Sequence, residues 1–178
     1  MEALSEYLNY FTYAPLPIFL FSLFKCWENI GARWFLILLV TVECIDLYSY
    51  QYSINWNTHY YAWSVFVSFL FYAPSFYRSR IAHKLYEKTD SQFFLEASKL
   101  KFTQQEAAIL LIFFTSMIAN GISYVEIILY KYYIIDVYYF KLYVLDNLQL
   151  FLHIFLCLAA LSFQINSRKG QKYETANT

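Results

Sequence analysis

The side chains most able to do chemistry in this sequence are ionisable and amide groups that lie inside long apolar segments. They are Glu43, Asp46, Asn120, Asp146, Gln149 and His153. Glu43 and Asp46 are three residues apart, and Asp146, Gln149 and His153 follow i, i+3 or i+4 spacing, so helices would place each set on one face. Groups of this kind are costly in lipid and normally face a partner or water, which makes them the first candidates for a functional site.

The depth of these residues predicts a polar cluster near the middle of a bilayer. At 1.5 Å per residue, Glu43 and His153 each lie about 15 Å from one end of their segment, and the hydrocarbon core is ~30 Å thick. If the two stripes face each other, Glu43 can therefore pair with His153, and the other four residues form the rest of the cluster in the outer half: Asp46, Asn120, Gln149 and Asp146. Three uses of the cluster stay open: interhelical hydrogen bonds that hold a bundle together, a water-lined path for ions or protons, and sensing.

A metal site at the cluster is a weaker alternative. His153 and Cys157 are four residues apart and could ligate a metal together with Glu43. No second histidine or cysteine completes a familiar ligand set, so we predict no metal.

Five apolar segments position these residues, and each is considered as a membrane span. They are Leu8–Phe24, Ala32–Tyr50, Tyr60–Tyr77, Gln105–Tyr130 and Leu142–Ile165. A spanning helix needs about 20 mostly apolar residues, and this chain of 178 residues is 60% hydrophobic, without the period-2 alternation of strands. The predicted fold class is all-α, a single polytopic transmembrane bundle over residues 1–178. It has four to five spans, because the first segment is the shortest and could lie at the interface.

The basic residues are unevenly distributed among the connections. With five spans, eleven of the 13 fall on one side of the membrane: Lys25, Arg33, Arg78, Arg80, Lys84, Lys88, Lys99, Lys101, Arg168, Lys169 and Lys172. Only Lys131 and Lys141 are left on the other side. Basic residues near span ends stay in the cytoplasm, so we expect a multi-pass protein of the cell inner (plasma) membrane with a cytoplasmic C-terminal tail, residues 166–178.

The main polar segment, residues 78–104, faces the cytoplasm in this topology. Tyr77–Glu87 and Ser91–Phe102 mix apolar and charged residues and predict amphipathic helices, which either lie against the inner leaflet or another subunit or extend the flanking spans. Thr103 and Glu106 form the T-x-x-E pattern of a capping box at the start of the fourth span. The basic side chains of the segment are a candidate docking site for a soluble partner: Arg78, Arg80, Lys84 and Lys88.

Composition and motifs disfavour several function classes. The 13 basic and 13 acidic residues leave no net charge that would indicate nucleic-acid binding. The sequence contains no G-x-S-x-G, Walker, H-E-x-x-H or glycine-rich phosphate motif, so we predict no catalytic residue and no cofactor. Cys26, Cys44 and Cys157 show neither disulfide nor metal-finger spacing.

In size, number of predicted spans and lack of a catalytic motif, the chain is similar to small membrane components of bacterial conflict systems. These include immunity proteins against pore-forming bacteriocins and membrane subunits of anti-phage operons, and the similarity is one of architecture without a shared motif. We expect a non-enzymatic inner-membrane subunit that self-associates, docks a soluble cytoplasmic partner, or both. A defence (anti-phage) or toxin-immunity role is a hypothesis. The alternative is a small homo-oligomeric ion channel or carrier that uses the Glu/His cluster.

Overall fold

The computed structural model describes residues 14–56 and 58–176, with side chains described as far as Gln164, and all regular structure in these ranges is helical. The α-helices of these ranges are α1 (Pro15–Lys25), α2 (Ile30–Ser53), α3 (Tyr60–Phe76), α4 (Arg78–Thr89), α5 (Gln92–Lys99), α6 (Gln104–Lys131) and α7 (Asp146–Ala176). A 3-10 turn, Ile54–Trp56, follows α2, and a π-helix, Lys141–Leu145, leads directly into α7. The predicted all-α class is confirmed.

The bundle is formed by four long helices, α2, α3, α6 and α7. Each of the four runs antiparallel to the next one. α3 packs on α6 most extensively, while α2 packs on α3 and α6 on α7. The pairing of α3 with α6 is antiparallel. Arg78, two residues after the end of α3, binds Glu106 in the first turn of α6. His59, just before α3, lies 3.3 Å from the Tyr124 hydroxyl near the other end of α6. We call the Arg78 end of the bundle the basic end and the His59 end the aromatic end.

The apolar core is concentrated in the basic half of the bundle. Phe71 of α3 stacks on Phe113 of α6 with ring centroids 4.1 Å apart, and it meets the edge of Phe35 of α2 at 5.9 Å. Phe35 and Phe71 are fully buried. Aromatic pairs of this kind add about 0.5–1.5 kcal/mol each beyond the burial of their area. Glu43 lies eight residues after Phe35, about 12 Å further along α2, so the polar residues lie beyond this core toward the aromatic end.

Helix α1 packs between α2 and α7 at the basic end. Phe19 is 1% exposed in this position, and the Gln164 side-chain amide of α7 donates a hydrogen bond to the Ser22 hydroxyl at 3.1 Å. With 11 residues, α1 is about 16 Å long, roughly half the thickness of a hydrocarbon core. The predicted first segment began at Leu8, and its residues 8–13 lie outside the described residues.

Helices α4 and α5 form a helical hairpin that closes the basic end. Asp90 ends α4 in the left-handed conformation, with φ of 50°, and α5 then packs back on α4. α5 also lies on the start of α2, where Trp34 meets Phe93 and Phe94 at 6.2 and 6.3 Å between ring centroids. Both amphipathic helices expected in this segment are present; they pack on each other, and α5 also packs on α2.

Among the described residues, two helical stretches are long and apolar enough to cross a membrane. They are Gln104–Lys131, with 28 residues, and Lys141–Gln164, with 24. α2 also has 24 residues but carries Glu43 and Asp46, and α3 has 17. Two apolar helices are weak evidence for a membrane location, and the predicted four to five spans are not confirmed.

Candidate functional site

Five of the six polar residues expected to cluster line one cavity of about 130 Å³ between α2, α3, α6 and α7. These five are Glu43, Asp46, Asn120, Gln149 and His153. The cavity lies on the aromatic side of the apolar core, and its remaining walls include Ser64, Ser116 and Tyr60. We call it the polar cavity.

Asp146 is the sixth residue, and it does not line the polar cavity. It lies one turn before Gln149 on α7, is exposed, and interacts electrostatically with the hydroxyl of Tyr61 on α3. The predicted stripe on α7 therefore divides into two parts. Gln149 and His153 face the polar cavity, and Asp146 lies nearer the aromatic end.

Asn120 and Gln149 connect α6 to α7 by a hydrogen bond. The Gln149 side-chain amide donates to Asn120 Oδ1 at 3.0 Å, and Asn120 Nδ2 in turn donates to the Ser116 backbone carbonyl at 2.9 Å. Asn120 is 2% exposed, so its amide is satisfied inside the bundle. These hydrogen bonds join α6 to α7 and satisfy the buried amide of Asn120.

The ionisable residues of the polar cavity are arranged differently from the expected Glu43–His153 pair. No hydrogen bond or ion pair joins Glu43 to His153 in the part of the chain that the structure describes. His153 Nδ1 instead lies 2.9 Å from the Gln149 carbonyl oxygen, to which the imidazole N–H can donate. Electrostatic interactions link Glu43 to Asp46, and Asp46 to His153. Asp46 and His153 are both exposed, so they lie at the open side of the cavity.

The open side of the polar cavity is a cleft between α2 and α7. Both helices pack on α1 but make little direct contact with each other. The described helix α1 is about 16 Å long and is held at the basic end through Ser22, where it separates α2 from α7 over that half of the bundle. Further toward the aromatic end, no described element covers Asp46 and His153.

A second cavity, of about 440 Å³, lies at the aromatic end between the ends of α2, α3 and α6 and the chain that leads into the π-helix. Tyr61, Tyr130, Tyr138 and Lys141 are among its lining residues. Tyr60 lines both cavities, so its ring lies between them. Tyr60 and Lys141 were not singled out from the sequence. The signal that could have indicated them was the density of tyrosine near the segment ends, which is also typical of an ordinary interfacial belt.

Arg78 requires a correction, because it was expected to be part of an exposed basic docking site. The side chain is 1% exposed, and its guanidinium forms an ion pair with Glu106 and donates to the carbonyl oxygens of Leu100 and Lys101, both at 3.1 Å. With its donors used inside the protein, Arg78 is a structural residue and cannot contact a docked partner.

Arg80, Lys84 and Lys88 remain as the exposed basic residues of that site. All three are on α4 at intervals of four residues, so they form one stripe on the outward face of the hairpin. We call these three residues the basic stripe.

The polar cavity brings two carboxylates, one imidazole and two side-chain amides together around a space of about 130 Å³. Within the described residues, no group of three or more His, Cys, Asp or Glu side chains is placed to hold a metal ion.

No protein-family model matches this chain, and no match was found among curated proteins or solved structures.

Proposed function

We propose that the protein is a non-enzymatic integral membrane subunit that self-associates, with α2, α3, α6 and α7 crossing the bilayer. The observation that carries this proposal is the cleft between α2 and α7, where Asp46 and His153 are exposed between apolar stretches. An ionisable side chain costs at least about 2.5–3.5 kcal/mol at the centre of a membrane. None of the described residues covers the cleft, and a second copy of the chain offers both the polar groups and the apolar surface to do so.

The outer surfaces of α6 and α7 support the membrane location. Only 28% of the apolar stretch of α6 and 17% of that of α7 is buried in the bundle. The exposed apolar residues include Leu111, Ile118, Val125, Phe151, Phe155 and Leu158. The core helix of a soluble protein buries such residues, whereas a lipid-facing helix leaves them outside.

The distribution of basic residues supports an orientation with the basic end in the cytoplasm. The basic stripe on α4 then faces the cytosol, where it is suited to docking a soluble protein with an acidic surface. A bacterial defence or toxin-immunity role for the protein and its soluble partner stays a hypothesis. A toxin challenge of cells with and without the protein tests it.

The first experiment measures the mass of the full chain in lipid nanodiscs, with gentle crosslinking and identification of co-purifying proteins. We expect a defined homo-oligomer. Asp46→Asn should weaken association about tenfold, because it removes a charge from the proposed contact. Thr41→Ala is the matched control, because Thr41 is an exposed polar residue of α2 whose hydroxyl binds only the Ile37 carbonyl of its own helix. A monomer at all concentrations would refute self-association.

The second candidate is a small homo-oligomeric channel or carrier. It is favoured by Tyr60, which lines both the polar cavity and the cavity at the aromatic end, so that displacement of one ring would connect Glu43 with that end. Ion flux into liposomes separates the candidates. Glu43→Gln should abolish flux in a channel without changing the oligomer, whereas in a structural cluster it should weaken the oligomer and change no flux.

A further inference from the structure

The Asp46 carboxylate lies on the α2 edge of the cleft between α2 and α7, and it is exposed. In the part of the chain that the structure describes, this carboxylate accepts no hydrogen bond and forms no ion pair. Only the backbone carbonyl of Asp46 is engaged, by the Ser49 hydroxyl at 3.1 Å. A carboxylate inside a membrane normally faces a partner or water, because it is costly in lipid. Asp46 therefore offers an acceptor to a donor from outside the described bundle.

The imidazole of His153 lies on the α7 edge of the same cleft and has one nitrogen in use. Nδ1 is 2.9 Å from the Gln149 carbonyl oxygen, and since a carbonyl only accepts, Nδ1 carries the proton of the neutral ring. Nε2 makes no hydrogen bond to any residue in the described ranges. Nε2 and a carboxylate can share one further proton in a charge-assisted hydrogen bond. His153 and Asp46 are therefore complementary, although no hydrogen bond or ion pair joins them within the described part of one chain.

The two edges of the cleft complement each other, which suits a symmetric contact between two copies. Copies that insert into one membrane with the same topology are parallel, so a two-fold axis that relates them runs along the membrane normal. Rotation about an axis in front of the cleft places α2 of one copy opposite α7 of the other. Such a rotation preserves depth, and Asp46 and His153 line one cavity. Asp46 of each copy then meets His153 of the other.

We infer that two copies of the chain form a parallel, two-fold symmetric dimer across the cleft, with two crossed hydrogen bonds from His153 to Asp46. This inference rests on the proposed membrane location and self-association, and it assigns the face and the pairing of the contact. A contact of α2 with α2 would bring the two Asp46 carboxylates together instead, and like charges that meet at an interface cost several kcal/mol. The crossed arrangement gives each exposed group the partner that it lacks in a single chain.

The test exchanges the two groups in separate full-length chains. Asp46→His turns every crossed contact of a homodimer into a pair of imidazoles, and His153→Asp turns every contact into a pair of carboxylates. Each variant alone should dimerise at least about tenfold more weakly than the unmodified chain. A mixture of the two variants should regain the loss as a heterodimer, because both of its contacts again join a carboxylate to an imidazole. A pair formed inside one chain gives no such recovery in the mixture.

Förster transfer between chains labelled at their C-terminal tags measures association in liposomes over a range of protein-to-lipid ratios. Tyr48→His is the matched control for Asp46→His. Tyr48 is 72% exposed and lies two residues from Asp46, so it is at nearly the same depth but on the opposite side of α2. This variant should dimerise like the unmodified chain. A helical circular dichroism spectrum checks that each variant folds.

Each outcome decides between the dimer and its alternatives. If the folded variants stay apart in the mixture while the unmodified chain dimerises, the crossed arrangement is wrong and self-association stands. Equal losses in Tyr48→His and Asp46→His would overturn the assignment of the cleft as the contact. An unmodified chain that is monomeric at all ratios would refute the proposed self-association itself. A monomer in which photocrosslinking joins position 46 to residues 1–13 of the same chain would show that the chain covers its own cleft.

Discussion

Arg78 and Glu106 form a buried ion pair between the start of α4 and the start of α6, and both side chains are 1% exposed. The second oxygen of Glu106 accepts the Thr103 backbone N–H at 2.8 Å, while the Thr103 hydroxyl accepts the Glu106 N–H at 3.2 Å. Arg78 also binds the carbonyl oxygens of Leu100 and Lys101. One pair thus fixes the helical hairpin, the loop before α6 and the first turn of α6.

Breaking this pair should unfold the basic end. Arg78→Ala leaves the Glu106 carboxylate buried without its cation, which costs about 3–5 kcal/mol of unfolding free energy. Arg80→Ala, two residues away and exposed, should change it by less than about 0.5 kcal/mol. Denaturant unfolding in detergent, followed by circular dichroism, measures both variants. The double variant Arg78→Met with Glu106→Gln should recover much of the loss, because glutamine can still complete the capping box. A loss in Arg80→Ala as large as that in Arg78→Ala would contradict the assignment.

Gly31 and Gly121 give a matched test of how closely α2 approaches the same ion pair. A Cβ at Gly31 would lie 3.0 Å from Glu106 Oε1, an atom that Arg78 holds in place, whereas a Cβ at Gly121 would meet nothing within 4 Å. Gly31→Ala should therefore destabilise the protein by about 1–3 kcal/mol through overpacking. Gly121→Ala should stabilise it by up to about 1 kcal/mol through helix propensity. Thermal unfolding of the two variants measures the difference, and equal shifts would show that Glu106 can move aside.

The helices and the polar stripes could be predicted from the sequence, because both depend on local spacing. The predicted segment Gln105–Tyr130 and the observed α6 differ by one residue at each end, since the capping box at Thr103 marks the start. Periodicity also identified the faces that carry Glu43 and Gln149. It could not identify what each face meets, because that depends on packing between residues far apart in the sequence. Arg78 was expected to be part of an exposed docking site because its partner, Glu106, lies 28 residues away and local spacing does not indicate their contact.

The hydrogen bond between Asn120 and Gln149 should contribute measurable coupling between α6 and α7. We expect a coupling energy of about 0.6 kcal/mol and at most about 1.7 kcal/mol, the range found for such bonds within membranes. A double-mutant cycle with Asn120→Ala and Gln149→Ala, measured by unfolding in detergent, gives this value. Asn147→Ala is the control, because the Asn147 amide binds only the Tyr143 carbonyl of the preceding turn and is exposed. Additive effects of the two alanine variants would show that the bond does not hold the helices together.

If a soluble partner docks on the basic stripe, as we propose, reversing the charge of the stripe should slow recruitment of that partner. The variant with Arg80, Lys84 and Lys88 all changed to Glu should lower the association rate constant at least about tenfold at low salt, and the difference should shrink as salt is added. Lys99→Glu, an exposed charge on α5, is the control for a general change in net charge. Surface plasmon resonance with the co-purified partner measures both rates. Recruitment that survives the triple change would exclude the stripe as the docking site.

Two of the three cysteines, Cys44 and Cys26, allow a direct test of whether the middle of α2 lies in lipid. Cys44 is exposed on the bundle, whereas Cys26 is buried between α1 and α2. Burial raises the pKa of the Cys26 thiol, so this thiol stays protonated near neutral pH. If α2 crosses the membrane, a charged, impermeant maleimide should fail to label Cys44 in nanodiscs although the thiol is free of protein cover. The same reagent should label Lys84→Cys, because Lys84 is exposed on α4 at the basic end. Peptide mapping of protein that was unfolded in detergent before labelling gives the value for full modification of each cysteine. Labelling of Cys44 as fast as that of Lys84→Cys would mean that water reaches the middle of α2, and α2 would no longer count as a span.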